Sequence, residues 1–216
     1  MKRLWILLFP TIFGLILFIS AGRIDLPFFW ITLAVLTLTM SLGMGGIDAD
    51  LMKERKRPGP GGVDRMLRWR AMPFMLAQLI VAGLDAGRFN WSGEFPPWLQ
   101  ALGVMICCTG MLISGWAMRV NRFFSPVVRI QSERGHHLIT DGPYRLIRHP
   151  GYLGTLLGSP GMSIALGSWW SMLALIPLSM LLFRRLLIED RYLKEHLDGY
   201  AQYAERVRFR LIPGIW

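Results

Sequence analysis

The chain is poor in cysteine, in acid and in charge. Its two cysteines, Cys107 and Cys108, are adjacent inside an apolar run. Neighbouring helix residues point to different faces, so these thiols neither pair nor make a metal site. They read as small buried apolar residues, and compartment cannot be read from them. Acids number 14 against 24 Lys and Arg, and all charged residues together make up 18% of the chain. With 53% apolar residues, a mean hydropathy of +0.39 and nine Trp, an ordinary soluble domain is excluded and a polytopic membrane protein is expected. There is no internal repeat and no metal-binding pattern: His136 and His137 are adjacent, and with His149 they find no matching carboxylate or thiolate spacing. No metal is expected.

Six apolar segments are present, at 4–20, 28–45, 71–84, 98–118, 152–166 and 170–187. Most approach the ~20 residues that cross about 30 Å of hydrocarbon. The third and fifth are short, which implies tilt, local thinning or shielding by protein. The first follows Met1-Lys2-Arg3 and resembles a signal peptide, but it is long for one and further spans follow it. Pro160 and Pro177 lie inside the last two segments and predict kinks. The fifth and sixth are joined by Gly167-Ser168-Trp169 alone, which predicts a tight antiparallel hairpin. The expected fold is all-α: a single polytopic membrane domain over 1–216 with about six transmembrane helices. Residues 1–120 hold the N-terminal helices, and 121–216 hold a C-terminal hairpin and tail.

The charge of +10 is explained by topology. All but two of the 24 basic residues fall at the N-terminus, in the second and fourth connections, or in the tail; the exceptions are Arg23 and Arg88. With six spans, those basic stretches share one side, which the positive-inside rule makes cytoplasmic, together with both termini. The partners expected are a lipid bilayer and its anionic headgroups, with no nucleic acid.

Polar chemistry concentrates on that face. Gly142-Pro143-Tyr144 leads into Arg148-His149-Pro150-Gly151-Tyr152-Leu153-Gly154. Pro150 suits the first turn of the fifth helix and His149 its cap, and that helix start favours an anion. Gly151, Gly154, Gly158 and Gly161 form a stripe on one helix face. It serves either close helix packing or the approach of backbone to a flat ligand. Arg185 and Glu189, four apart, share a face at the end of the last helix. They form either an interfacial ion pair or a pair that holds ligand groups. Leu193, Leu197, Tyr200 and Tyr203 suit an amphipathic interfacial helix.

Taken together, these motifs resemble the isoprenylcysteine carboxyl methyltransferase family, related to the phospholipid N-methyltransferases. The resemblance runs from about Ser125 to Trp216. It adds Arg185-x-x-x-Glu189-Asp190 and Tyr200-x-x-Tyr203-x-x-Arg206-Val207 to the segment above. It implies S-adenosylmethionine as methyl donor and an amphiphilic acceptor. The cofactor positions it implies are Gln131, His136, His137, Leu138, Ile139, Tyr144, His149, Pro150, Gly151, Tyr152 and Glu189. It implies Arg185 as the substrate-binding residue. Arg185, Glu189 and His149 are the expected catalytic residues, the last two available to deprotonate an amine or thiol acceptor. The chain departs from the family in two places. Asp190 stands where a second Glu is usual, and Leu197-Asp198-Gly199 is one residue shorter than the usual stretch. Both bear on the acceptor more than on the donor.

A carboxylate acceptor is the leading expectation, with a phospholipid amine or small thiol as alternatives. A non-enzymatic transporter or lipid-binding scaffold is the competing class. Asp85, near the far end of the third segment, is the one charge deep enough to suggest transport, and it reads as a helix-end residue.

Overall fold

A computed structural model describes residues 2–44 and 46–216, with side chains described outside 2–7, 9 and 44. The N-terminal Met1 and the last residue of the second apolar segment, Gly45, lie outside the described residues, as do the side chains of Lys2 and Arg3. Eight α-helices follow one another: α1 (Lys2–Ala21), α2 (Pro27–Met44), α3 (Ala49–Lys56), α4 (Leu67–Gly83), α5 (Pro97–Val120), α6 (Pro150–Ala165), α7 (Leu175–His196) and α8 (Tyr200–Arg206). A single antiparallel bridge, Val63 with Val128, is the only β pairing among the described residues. Each of the six apolar segments is a helix, so the all-α expectation holds.

Length and apolarity together single out two helical stretches able to cross a membrane, Pro97–Val120 and Trp170–His196. Two more, Pro10–Ala21 and Pro27–Gly43, are apolar but shorter. Large apolar side chains such as Ile19, Leu38, Met105 and Met180 point outward from α1, α2, α5 and α7.

Glycine decides how the bundle closes. A Cβ on Gly154 would overlap Ser114 Oγ and the Gly110 carbonyl, and one on Gly161 would lie 2.6 Å from Cys107 N. The stripe on α6 therefore lets its backbone ride directly on α5. The expected tight α6–α7 hairpin is corrected: α6 packs chiefly on α5, whereas α7 packs on α4 through Ala71, Leu175, Leu178 and Leu182. A second apolar cluster, with Leu17, Phe29, Ala82 and Leu166, joins α1, α2, α4 and the end of α6.

Two further expectations change. Pro177 is the third residue of α7, where its missing N–H costs no α-helical hydrogen bond. Leu193 and Leu197 share no helix with Tyr200 and Tyr203. The chain breaks at Gly199, in the left-handed region at φ 78°, and the two tyrosines are buried. Asp85 does end a helix, but it also staples. Its carboxylate accepts from Ser92 N at 2.8 Å and Ser168 Oγ at 2.6 Å, tying the end of α4 to the α6–α7 turn.

Candidate active site

Between α5 and α6 the chain runs for nearly thirty residues without an α-helix, and side chains organise it. Asn121 ends α5; its Oδ1 accepts from Phe123 N at 2.9 Å and its Nδ2 donates to the Tyr144 hydroxyl at 3.2 Å. Gln131 is fully buried and donates through Nε2 to the Phe123 carbonyl at 2.8 Å. Its backbone N–H donates to His136 Nδ1 at 3.2 Å. The His136 ring stacks on Phe123 with centroids 4.4 Å apart, and His137 meets the same ring edge-on at 5.0 Å. Burial, with repulsion from His137, Arg129 and Arg134, pushes the His136 imidazole down to about 4, so it is neutral at pH 7.

The end of α7 supplies the second wall. This helix runs beyond the apolar segment to His196 and carries Arg185, Glu189 and Asp190 in regular helix. Glu189 Oε2 accepts from the Tyr152 hydroxyl at 2.7 Å and lies 3.7 Å from Arg185 Nε. Asp190 turns away from the cavity into a buried hub. Arg148 clasps it with Nε at 2.8 Å and Nη2 at 3.2 Å, Tyr200 OH donates at 3.1 Å, and Arg210 Nε donates at 3.0 Å. Burial opposes its charge, but these donors and His149 hold it well below the usual carboxylate range. An ionised carboxylate only accepts, so His149 Nε2, 3.2 Å away, donates to it.

The tail is strapped to the chain just before α6. Arg148 Nη1 donates to the carbonyls of Val207 at 2.8 Å and Arg208 at 2.9 Å. The backbone N–H groups of Arg148 and His149 donate to Phe209 and Arg210 carbonyls, both at 3.0 Å. Tyr203 OH donates to the Tyr144 carbonyl at 2.7 Å.

The early part of the chain closes the remaining side. Glu54 on α3 takes a bidentate pair from Arg129, at 3.0 and 2.9 Å, and a bond from Ser125 Oγ at 2.8 Å. Burial works against the Glu54 charge, but those bonds bring the carboxyl down to about 2. Val63 N–H donates to the Val128 carbonyl at 2.8 Å. Arg185, 1% exposed, spends Nη1 on the Asp64 carbonyl at 2.6 Å and Nη2 on the Pro126 carbonyl at 3.1 Å. Its Nε has no hydrogen-bond partner.

These walls enclose a cavity of ≈300 Å³. Of the residues singled out in the sequence, His136 to Ile139 line one side, Tyr144 and His149 to Tyr152 another, and Arg185 and Glu189 a third. Gln131 does not reach the cavity; it sets Phe123 and His136 from behind. Gly151 does line it, but its Cα also faces the Phe124 ring, and Gly154, Gly158 and Gly161 serve the contact with α5. Sequence reasoning missed Arg148, Asp190, Glu54, Arg129 and Asp64 as organising residues. Arg148 and Asp190 each sit beside a residue it did select, and adjacency on a chain gives no sign of which neighbour turns inward. Among the described residues no group of three His, Cys, Asp or Glu could hold a metal.

The cavity is lined by both aromatic and charged groups, with five arginines (Arg55, Arg68, Arg129, Arg148 and Arg185) against one acid. It has aromatic faces at Phe123, Tyr144 and Tyr152, one carboxylate at Glu189, and an orphaned donor at Arg185 Nε.

The phospholipid methyltransferase family model matches residues 98–199. Relatives include protein-S-isoprenylcysteine O-methyltransferase B of Arabidopsis thaliana, 31% identical over 113 residues, which are 51% of this chain and 57% of that one. The Schizosaccharomyces pombe protein-S-isoprenylcysteine O-methyltransferase is 33% identical over 111 residues, 50% of this chain and 46% of that one. The cobalt-zinc-cadmium resistance protein CzcN of Cupriavidus metallidurans is 30% identical over 140 residues, 64% of this chain and 59% of that one. The chain thus spans about half the length of the curated relatives it matches. The similarity to these methyltransferases lies within residues 98–199, just under half of the chain, for the family model.

Proposed function

We propose that this protein is an integral membrane methyltransferase that uses S-adenosylmethionine and acts on an amphiphilic acceptor bearing a carboxylate. The observation that carries this reading is the convergence of Tyr144, Tyr152 and Glu189 on one cavity, in the part of the chain that the family model matches. The acceptor class is taken from the relatives that are isoprenylcysteine O-methyltransferases. When bound, S-adenosylmethionine supplies an electrophilic methyl group on a sulfonium.

The chain's own residues hold and orient. Glu189 accepts hydrogen bonds from the donor's polar groups, and Tyr152 fixes that carboxylate. Tyr144 and Tyr152 offer ring faces to positive charge. Arg185 Nε, which has no hydrogen-bond partner, is the nitrogen offered to an anionic group; Nη1 and Nη2 each already hold a carbonyl. A carboxylate acceptor is ionised at pH 7, so no residue must remove a proton, and positioning does most of the work. His149 would act as a base only toward an amine or thiol.

We further propose six spans with the cavity and both termini on the cytoplasmic side, where the donor is found. The basic side chains Arg129, Arg148, Arg185 and Arg210 cluster at the cavity end. Arg88 lies at the other end, capping α1 through the Ser20 carbonyl at 2.7 Å. α4 and α6 then cross as short, protein-shielded spans.

The test is a screen for transfer of labelled methyl from S-adenosylmethionine into prenylated peptides, extracted lipids and small thiols by the purified chain. Label in a base-labile methyl ester of the prenylated peptide is expected. Label confined to lipid amines or thiols would reassign the acceptor, and no label anywhere would remove the activity.

A further inference from the structure

Two arginines outside every family motif line the same cavity. Arg55 comes from α3 and Arg68 from the first turn of α4. Arg55 is half-buried, and Arg68 is exposed at the rim. Arg55 Nη1 donates to the Phe124 carbonyl at 3.3 Å, and its guanidinium lies over the Phe124 ring, 5.5 Å from the centroid. The Phe124 ring in turn abuts Gly151 in the first turn of α6, so Arg55 is fixed relative to the cavity wall. Arg68 rests on the Trp69 ring at 5.2 Å.

Neither finds a carboxylate, because the acids around them are already committed. Glu54 belongs to Arg129, and Asp50 pairs with Lys53 at 3.0 Å. Asp64 is shared by Arg185 at 3.4 Å, Arg70 at 3.7 Å and Arg184 at 3.8 Å. Arg55 is held below the usual guanidinium range by burial and by the nearby charge of Arg68. Two like charges near each other, one of them half-buried, are costly unless an anion joins them. A guanidinium carries five N–H donors, and Arg55 uses one.

The neighbouring wall is apolar. Leu67, Ala71 and Leu182 line the cavity beside this pair and continue into the α4–α7 cluster. An anion held at Arg55 and Arg68 would therefore have its apolar chain alongside Leu67 and Ala71. Arg185 has Nη1 and Nη2 on backbone carbonyls and its charge shared with Asp64 at 3.4 Å and Glu189 at 3.7 Å, so it is a poor anion clamp by itself.

We propose that Arg55 and Arg68 form the site that takes the acidic headgroup of the acceptor, with Arg185 reading it deeper inside. This rests on the methyltransferase reading for the identity of the ligand, but not for the existence of the site.

The experiment uses the full chain in neutral phosphatidylcholine nanodiscs. Three equilibrium affinities are measured: for N-acetyl-S-farnesylcysteine, for its carboxamide, and for S-adenosylmethionine. For the Arg55→Gln/Arg68→Gln double variant, affinity for the acid falls by about tenfold, the scale of one or two lost charge-assisted hydrogen bonds. Affinities for the carboxamide and the donor stay unchanged, and Arg55→Lys/Arg68→Lys recovers most of the loss. An unchanged acid affinity, or an equal fall for acid and carboxamide, overturns the assignment. So does failure of the lysine variant to fold, which would make the pair a packing element. Repeating the measurement with phosphatidylglycerol in the disc separates the sources of anion. If the lipid abolishes the wild-type preference for the acid, the pair serves the bilayer and the assignment fails. Absence of donor binding in the wild type would sink the methyltransferase reading and leave the acid–carboxamide comparison still decisive for the pair.

Discussion

Arg148 and Asp190 form a bidentate pair, 2.8 and 3.2 Å, sealed from solvent between the start of α6 and the end of α7. Arg148 also carries the tail on its third nitrogen, through the Val207 and Arg208 carbonyls. One ion pair therefore ties the start of α6, the end of α7 and the tail together. Replacing Asp190 by Asn strands Arg148 and Arg210 without a counter-charge, and removing one partner of such a pair costs about 3–5 kcal/mol. The variant is expected to unfold at markedly lower temperature in detergent and to expose the 207–216 segment to protease. Wild-type protease resistance of the tail would show that the hub does not hold it.

The glycine stripe makes a graded prediction. Gly154→Ala forces a Cβ into Ser114 Oγ and the Gly110 carbonyl, and overpacking of this kind costs about 1–3 kcal/mol. Gly158→Ala meets Cys107 O at 3.5 Å and Gly110 Cα at 3.6 Å, ordinary contacts, and gains up to about 1 kcal/mol of helix propensity. Thermal unfolding of the two variants should move in opposite directions or, at the least, separate clearly. Equal losses would place the α5–α6 contact elsewhere.

Stability should fall with acid in two steps. The folded value of His136, about 4, lies below its ordinary value near ~6.5, so the unfolded chain takes up that proton first. Its contribution is complete above about pH 6.5 and is lost as the pH falls towards 4. Glu54, brought down to about 2, contributes above roughly pH 4.5 and loses its share below that. His136→Phe should remove the upper step and leave the lower. An unchanged slope between pH 6.5 and 4 in that variant would assign the upper step to another group.

Topology is open to direct labelling. In a chain with Cys107 and Cys108 replaced by Ala, Ser132→Cys should react with a membrane-impermeant maleimide only from the cytoplasmic side. Glu94→Cys, in the exposed stretch before α5, should react only from the opposite side. Both reacting from one side contradicts six spans.

Much of this was legible from sequence, and the part that was not has a physical pattern. The six apolar helices and the cap at Pro150 are local properties that periodicity and turn chemistry report. Tyr144, Tyr152 and Glu189 are singled out by the resemblance to the family. The partner of α6 was misassigned because the short 167–169 turn points to α7, whereas close packing is decided by which helix offers glycine to glycine, and that is α5. The tail was misread for a similar reason. Its leucine and tyrosine spacing suits one amphipathic helix, but Gly199 breaks it and turns Tyr200 onto Asp190 and Tyr203 onto the Tyr144 carbonyl. Arg185 was paired with Glu189 alone because a spacing of four shows only that residue, and its hydrogen-bond partners are carbonyls far away in sequence, at Asp64 and Pro126.

The central claim is that the cavity binds the methyl donor through Glu189. Equilibrium binding of labelled S-adenosylmethionine to the detergent-purified chain tests it most directly, with Glu189→Ala and Tyr152→Phe alongside. Saturable binding to the wild type is expected. Tyr152→Phe should weaken it by about tenfold, the scale of a hydrogen bond to a charged group, and Glu189→Ala should weaken it further. No saturable binding to folded protein, or equal binding by wild type and Glu189→Ala, would contradict it.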